Sequence, residues 1–138
     1  NIAARGAGMA KGATNMALHY AMERKTFGKA IAEHQAIQLK LAEMSTRAAA
    51  AELLVHQAAD KFDRRERCDL EAGQAKFFAS EAAVQNSLDA MRVFGGYSYS
   101  PEYEIERFYR DAPLLCIGEG TNEIQRMIIA KQMVARAS

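Results

Sequence analysis

Apolar residues recur along this chain at intervals of three and four, the period of one helix face. Residues 2 to about 24 carry Ile2, Gly6, Met9, Ala13, Met16 and Tyr20 in that phase. The small Gly6 and Ala13 let a neighbouring helix come close. A longer stripe, Ile37, Leu41, Met44, Ala48, Ala51, Val55, Ala58 and Phe62, predicts a second helix from about 34 to 65. Its unbroken alternation of steps implies packing at a shallow angle. Asp69 reads as the N-cap of a third helix through Phe77, Val84, Leu88 and Met91, stopped by Gly95-Gly96. Ser100-Pro101 reads as cap and first-turn proline of a short helix ending near Arg110 and closed by Pro113. A last helix spans about 120 to 136, and strand signals are nearly absent. The expected fold is all-α, an up-down four-helix bundle with one extra short helix. A bundle by itself names no chemistry.

The chain has 138 residues, 49% apolar and 25% charged, which places it in one globular domain and excludes a disordered or membrane-spanning class. Eighteen basic against seventeen acidic residues leave a charge of +1, no electrostatic footprint for nucleic acid. Cys68 and Cys116 make no disulfide framework, which favours a reducing compartment. His19, His34 and His56 are too scattered for a metal site. The mixed charges from Lys61 to Arg67 read as a solvated helix end. The chain opens on Asn1, so a piece of something longer is expected.

Three segments are over-specified for a plain bundle. In Gly118-Glu119-Gly120-Thr121-Asn122-Glu123, an apolar run from Leu114 to Ile117 delivers a carboxylate between two glycines at the mouth of a helix. Glycines permit unusual backbone angles and close approach of a ligand, and such a carboxylate suits a general base. It equally suits a helix start favoured by the dipole. In Glu23-Arg24-Lys25-Thr26-Phe27-Gly28, continuing to His34-Gln35, Phe27 either caps the core or offers its face to a planar ligand. Arg24 can fork two hydrogen bonds onto a phosphate, with Gln35 donating and accepting beside it. In Arg92-Val93-Phe94-Gly95-Gly96-Tyr97, the double glycine either admits a phosphate or ribose or merely stops the helix.

In this order and at these separations the segments resemble the C-terminal helical domain of the acyl-CoA dehydrogenases. The likeness rests on Arg24-Lys25-Thr26-Phe27-Gly28 with Gln35, Phe94-Gly95-Gly96, Tyr109-Arg110-Asp111-Ala112, and Glu119-Gly120-Thr121 with Ile124-Gln125-Arg126, and it covers essentially all of residues 1–138. The resemblance implies an FAD-dependent enzyme oxidising an acyl-CoA thioester to the 2,3-enoyl-CoA, with Glu119 as the base that takes the α-proton. It implies that Arg24, Phe27, Gln35, Arg92 and Gly96 bind the adenosine-diphosphate part of an FAD held mainly by a neighbouring subunit. Thr121 and Glu123 match positions that contact FAD from the base's own chain, and Gly120 one that lies against substrate. A thioester α-proton is too weak an acid for a solvated carboxylate, so the base needs a dry pocket and the enolate needs hydrogen bonds to its oxygen. In the family these come from the flavin ribityl hydroxyl and the glutamate's own N–H.

The likeness further implies a homo-oligomer, a dimer of dimers, with electron-transfer flavoprotein as acceptor and no nucleic-acid or membrane partner. It implies residence in the cytoplasm of a bacterium or the mitochondrial matrix of a eukaryote. Complete members also have an N-terminal helical domain and a middle β-domain, both absent from these residues, and some branches carry the base upstream of the position of Asn1. The isolated piece is therefore expected to be inactive. Two positions depart from the family's pattern. Gly118 stands where tyrosine is common, which points to a branched or bulky acyl group, and Arg92 where glutamine is common. The rival readings are a non-catalytic helical oligomerisation module, an acyl-CoA oxidase, and a DNA-binding relative. Against the last stand the charge balance and the short tail Ala135-Arg136-Ala137-Ser138.

Overall fold

The computed structural model describes residues 1–137; Ser138, the end of the tail weighed above, lies outside the described residues. The chain runs α1 (Ile2–Glu23), a hairpin of β1 (Lys25–Thr26) and β2 (Lys29–Ala30), then α2 (Gln35–Asp63), α3 (Asp69–Phe94), α4 (Ile105–Ile117) and α5 (Asn122–Ala137). Single 3-10 turns lie at Ile31–Glu33 and Gly95–Tyr99. It is an all-α bundle with one shorter helix, α4, as the hydrophobic period implied.

The centre is α3, which packs against α1, α2, α4 and α5. A helix enclosed by four others has room only for small side chains along its lines of closest approach. Its buried positions accordingly include Gly73, Ala75, Ala79, Ala82, Ala83 and Ala90. The larger Phe77, Val84, Leu88 and Met91, expected to form its core stripe, are only half-buried in the flanking grooves. On α1 the buried set is Gly6, Ala7, Ala10, Ala13, Ala17 and Ala21, and a Cβ on Gly6 would lie 2.8 Å from the carbonyl carbon and oxygen of Ala79. On α2 the predicted stripe is buried at Met44, Ala48 and Ala51 and runs out at Phe62, which is exposed.

Polar groups on α3 tie the neighbours together. Buried Asn86 donates from Nδ2 to the Ala10 carbonyl of α1 (3.2 Å) and the Met44 carbonyl of α2 (2.8 Å), and its Oδ1 accepts from Arg47 Nε (2.7 Å). Arg47 also bonds Asp89, beside Lys40 and Arg92. Burial pushes the Asp89 carboxyl up, but hydrogen bonds from Gln85 and Arg47 outweigh it and hold it below its ordinary value. Near the other end, Glu71 accepts from Arg136 of α5 (2.7 and 3.0 Å) and from Lys61 of α2 (2.7 Å). Lys61 is thus not simply part of a solvated helix end.

Three helix boundaries differ from the sequence reading. Asp69 is the first residue of α3 rather than its cap, which is Cys68. The short helix starts at Ile105, not Ser100-Pro101, which lie in the turn before it. It also continues through Pro113 to Ile117, so Pro113 does not close it. That proline faces solvent, where the Tyr109 carbonyl it cannot bond is open to water. The loop after α1 pairs Lys25 with Ala30 and Thr26 with Lys29. Its two central residues, Phe27 (φ 51°) and Gly28 (φ 80°), are both left-handed, the geometry that matches hairpin twist.

Gly6→Ala should destabilise the domain by about 1–3 kcal/mol through overpacking. Gly8→Ala, whose added methyl meets no atom within 4 Å, should be neutral or stabilise by up to about 1 kcal/mol; denaturant midpoints of the two variants check this. Chiefly the Arg136 hydrogen bonds hold the Glu71 carboxyl at about 2 against an ordinary 4.5. A lowered carboxylate stabilises fully above its unfolded value and stops doing so as it protonates in the fold. Stability should therefore fall as pH drops from about 4.5 to about 2, and unfolding curves of Glu71→Gln should lack that component.

Candidate functional site

Glu119 sits in the short connection between α4 and α5. The Gly118 N–H donates to the Leu114 carbonyl (2.8 Å) and closes α4. Glu119 (φ 55°) and Gly120 (φ 88°) then turn left-handed in succession. The turn ends on Thr121, whose carbonyl accepts from Gln125 (3.0 Å) and whose hydroxyl accepts from the Ile124 N–H (3.5 Å) at the start of α5. A non-glycine residue with positive φ is held against a cost of about 1–3 kcal/mol. Gly120 is favoured by its φ; a Cβ there would also lie 3.0 Å from Gln125 Nε2, the movable end of a flexible side chain.

The Glu119 side chain is exposed. Among the described residues neither its carboxylate nor its backbone N–H has a hydrogen-bond or ion-pair partner. Glu123 differs. Its own N–H, then the Thr121 side chain, hold its carboxyl below the ordinary value, and Arg126 lies 3.6 Å away. At Gly118 the nearest atom to an added Cβ, chain neighbours aside, is the Leu114 carbonyl oxygen at 3.2 Å, and no side chain fills that space.

Beneath the turn lies a buried polar cluster. Lys76 of α3 donates from Nζ to the Cys116 carbonyl (3.1 Å) in the last turn of α4 and to Asn122 Oδ1 (2.7 Å) at the start of α5. Asn122 Nδ2 donates to Ser80 Oγ (3.0 Å) and Glu81 Oε1 (2.8 Å). Burial pushes the Lys76 ammonium down, opposed by the fields of Cys116, Glu123, Glu81 and Glu119. Burial likewise pushes the Cys116 thiol up. Sequence reasoning passed over Lys76, Ser80 and Asn122. The signal was there, since Lys76, Ser80, Ala83, Ser87 and Ala90 keep helical phase and all are buried.

The second group of predicted residues gathers where α1 and α3 end and α2 begins. A cavity of about 400 Å³ there is lined by Tyr20, Arg24, Thr26, His34, Phe94, Gly95, Gly96 and Tyr97, among others. Tyr20 stacks on Phe94 (centroids 4.2 Å apart), and the Arg24 guanidinium lies 5.7 Å over the Tyr97 ring. Thr26 Oγ1 and His34 Nε2 are 3.1 Å apart. Gly95 turns left-handed at φ 63°, and a Cβ on Gly95 or Gly96 would meet nothing within 4 Å, so this backbone is bare. Phe27, at the hairpin tip, is 96% exposed and does not cap the core; it stands edge-on to His34. Gln35, next to His34, opens α2 with an exposed side chain. Arg92 stays on the flank of α3, bonded to Asp89 (3.1 Å), and does not line the cavity.

The structure thus brings Arg24, Gly96 and the Phe27–Gln35 segment together, and Glu119, Gly120, Thr121 and Glu123 in a separate group. From Lys76, under Glu119, to Phe94, at the cavity, α3 spans about 27 Å at 1.5 Å per residue. Among the described residues no three His, Cys, Asp or Glu side chains are grouped to hold a metal ion. No helix among them is long and apolar enough to cross a membrane.

Comparison with known proteins gives this geometry a family. A family model described as acyl-CoA dehydrogenase, C-terminal domain, matches residues 1–134. The chain is 50% identical over 133 residues to an acyl-CoA dehydrogenase of Bacillus subtilis, covering 96% of this chain and 35% of that one. It is 48% identical over 133 residues to a 3-(aryl)acrylate reductase of Clostridium sporogenes (96% and 35%). To a cyclohexane-1-carbonyl-CoA dehydrogenase of Geobacter metallireducens it is 44% identical over 137 residues (99% and 36%). It spans about a third of the length of these relatives. Among solved structures, butyryl-CoA dehydrogenase from Megasphaera elsdenii matches with a TM-score of 0.95 at 38% identity, covering 96% of this chain and 35% of that one. The FAD complex of PigA matches at 0.92 and 31%, covering 97% and 35%. With its fold, its motifs and these relatives in agreement, the chain belongs to the acyl-CoA dehydrogenase family of flavoprotein oxidoreductases, as a C-terminal domain.

Proposed function

We propose that residues 1–138 form the helical domain through which an FAD-dependent acyl-CoA dehydrogenase removes the α-proton of its thioester, with Glu119 as the base. The observation that carries this is the pairing of an unpartnered carboxylate and an unpartnered N–H on one left-handed residue. The carboxylate can take a proton while the N–H of the same residue donates to the thioester oxygen as enolate charge develops. The α C–H bond breaks with its proton passing to Glu119. The electron pair left behind forms the Cα=Cβ bond as the β-hydrogen departs with its own pair. FAD, when bound, supplies the acceptor for that hydride. Gly120 lets the substrate approach the turn, and Thr121 and Glu123 present polar groups beside it.

The cavity residues fit part of such a cofactor. A guanidinium (Arg24), a hydroxyl (Thr26) and the His34 imidazole line the cavity with the bare backbone of Gly95–Gly96, a donor set suited to pyrophosphate and ribose, and the exposed Gln35 amide follows His34 in the chain. Phe27 offers an open aromatic face, and Arg92, though paired with Asp89 and outside the cavity lining, keeps an exposed side chain. The span of α3 between this cavity and Glu119 supports two different cofactors at the two ends, shared across a homodimer. Exposed Leu39, Leu53, Met127 and Met133 support further association, as a dimer of dimers. Electron-transfer flavoprotein is the proposed acceptor.

In the full-length enzyme, Glu119→Gln should lower the rate of flavin reduction by acyl-CoA about 10²- to 10⁴-fold while FAD stays bound. A near-normal rate would instead assign this domain a purely oligomerising role. The unfilled space at Gly118, and relatives named for arylacrylate and cyclohexane-carbonyl substrates, support a bulky, ring-bearing acyl group. Gly118→Tyr should then cut kcat/KM for a ring-bearing acyl-CoA at least about tenfold and spare butyryl-CoA; equal effects on both would refute the assignment.

A further inference from the structure

We propose that Lys76, acting through Asn122, is a positioning residue that holds the Glu119 turn in its working shape; this rests on Glu119 being the base. The turn's own backbone hydrogen bonds stop at its edges, on Gly118 and Thr121; of the two left-handed residues between them, Glu119 has no hydrogen bond among the described residues and Gly120 only a long one, from Gln125 Nε2 to its carbonyl (3.5 Å). The Lys76 ammonium is the group that reaches both sides of the gap. One hydrogen bond fixes the last turn of α4 through the Cys116 carbonyl, and another fixes the first residue of α5 through Asn122. The clamp's polar side chains are buried, Lys76 at 5%, Asn122 at 2% and Ser80 at 1% exposure, while Cys116, which lends its carbonyl, is half-buried.

A purely stabilising role accounts poorly for this lysine. Burying an ammonium is costly, and the usual compensation is a carboxylate in contact. None of Glu81, Glu119 and Glu123 lies within ion-pair distance of Nζ, although all three act on it through space. Instead the charge rests on a helix-terminal carbonyl, at the negative end of the α4 dipole, and on a neutral amide. Both partners belong to the segments that carry the turn. A misplacement of the base by an ångström is enough to slow proton abstraction, because the reacting atoms must meet at close range.

The test uses the full-length enzyme with its flavin and the variants Lys76→Met, Asn122→Ala and their combination. In single turnovers with acyl-CoA, Lys76→Met should slow flavin reduction by about 10- to 100-fold, with KM and FAD content close to normal. Amide exchange should quicken across residues 119–124 and stay unchanged in α1 and α2. Asn122→Ala should lose less, and the double variant no more than Lys76→Met alone, since both cut one clamp. Normal rates in both single variants, additive losses, or a loss that arrives with shed flavin and faster exchange throughout would each overturn the proposal. If Lys76→Met fails to fold, Asn122→Ala decides by the same rate and exchange criteria. Glu119→Gln run alongside separates the two claims. Collapse there with normal rates in the clamp variants rejects only the positioning role, whereas a normal Glu119→Gln rate rejects the base itself.

Discussion

The close approach of α1 to α3 governs the rest of this structure. With Gly6 against the Ala79 backbone, only glycine and alanine fit along the shared line, and an added methyl would already collide. Alanine buries little apolar area, so the gain per position is modest. Larger apolar side chains are displaced outward, and Met44 and Ile105 are the bulkiest fully buried ones. What a core of small residues lacks in area it gains in directional bonds. Along α3, Glu71 reaches α5 and α2, Lys76 reaches α4 and α5, Asn86 reaches α1 and α2, and Asp89 reaches α2. Each level of the helix thus fixes a different set of neighbours. No buried side-chain nitrogen or oxygen among the described residues is left without a partner.

That ladder also places the functional groups. Its upper rungs lead to the cavity at the ends of α1 and α3, where Arg24, Gly96 and the hairpin meet. Its lower rungs lead to the Glu119 turn. Because α3 is one continuous helix, the separation of the segments packed at its two ends is set mainly by helix rise.

Much of this was legible in the sequence. The stripes on α1 and α2 were real, and the glycine-flanked motifs stood where the backbone does turn left-handed. The α3 stripe was misassigned because bulky Phe77, Val84, Leu88 and Met91 draw the eye, whereas a helix surrounded on all sides buries its smallest residues. Ser100-Pro101 carried a valid start signal, but the chain uses it for a turn and starts α4 at Ile105. Pro113 read as a stop because proline usually is one; on a solvent-facing turn the lost bond matters little. Lys76 escaped notice because its partner Asn122 lies 46 residues away, and only tertiary packing brings them together.

Backbone strain alone would not have found the functional positions. Among the described residues, three non-glycine ones have positive φ: Phe27, Arg65 and Glu119. Arg65 lies in a charged, exposed turn between α2 and α3 and is followed by Glu66, whose N–H simply closes back on Lys61. Phe27 and Glu119 are each followed by a glycine that is itself left-handed, Gly28 or Gly120. Two such residues in a row reverse the chain so tightly that the first side chain is thrust outward, Glu119 without a hydrogen-bond partner among the described residues and Phe27 with only the edge-on contact of His34. The same local device therefore presents an aromatic ring at one end of α3 and a carboxylate at the other. In both cases the exposed group has chemistry that a surface turn has no need of: a large apolar face in one, an unpaired acid and a free N–H in the other. That combination, a strained residue followed by a left-handed glycine, is what separates these two turns from the third.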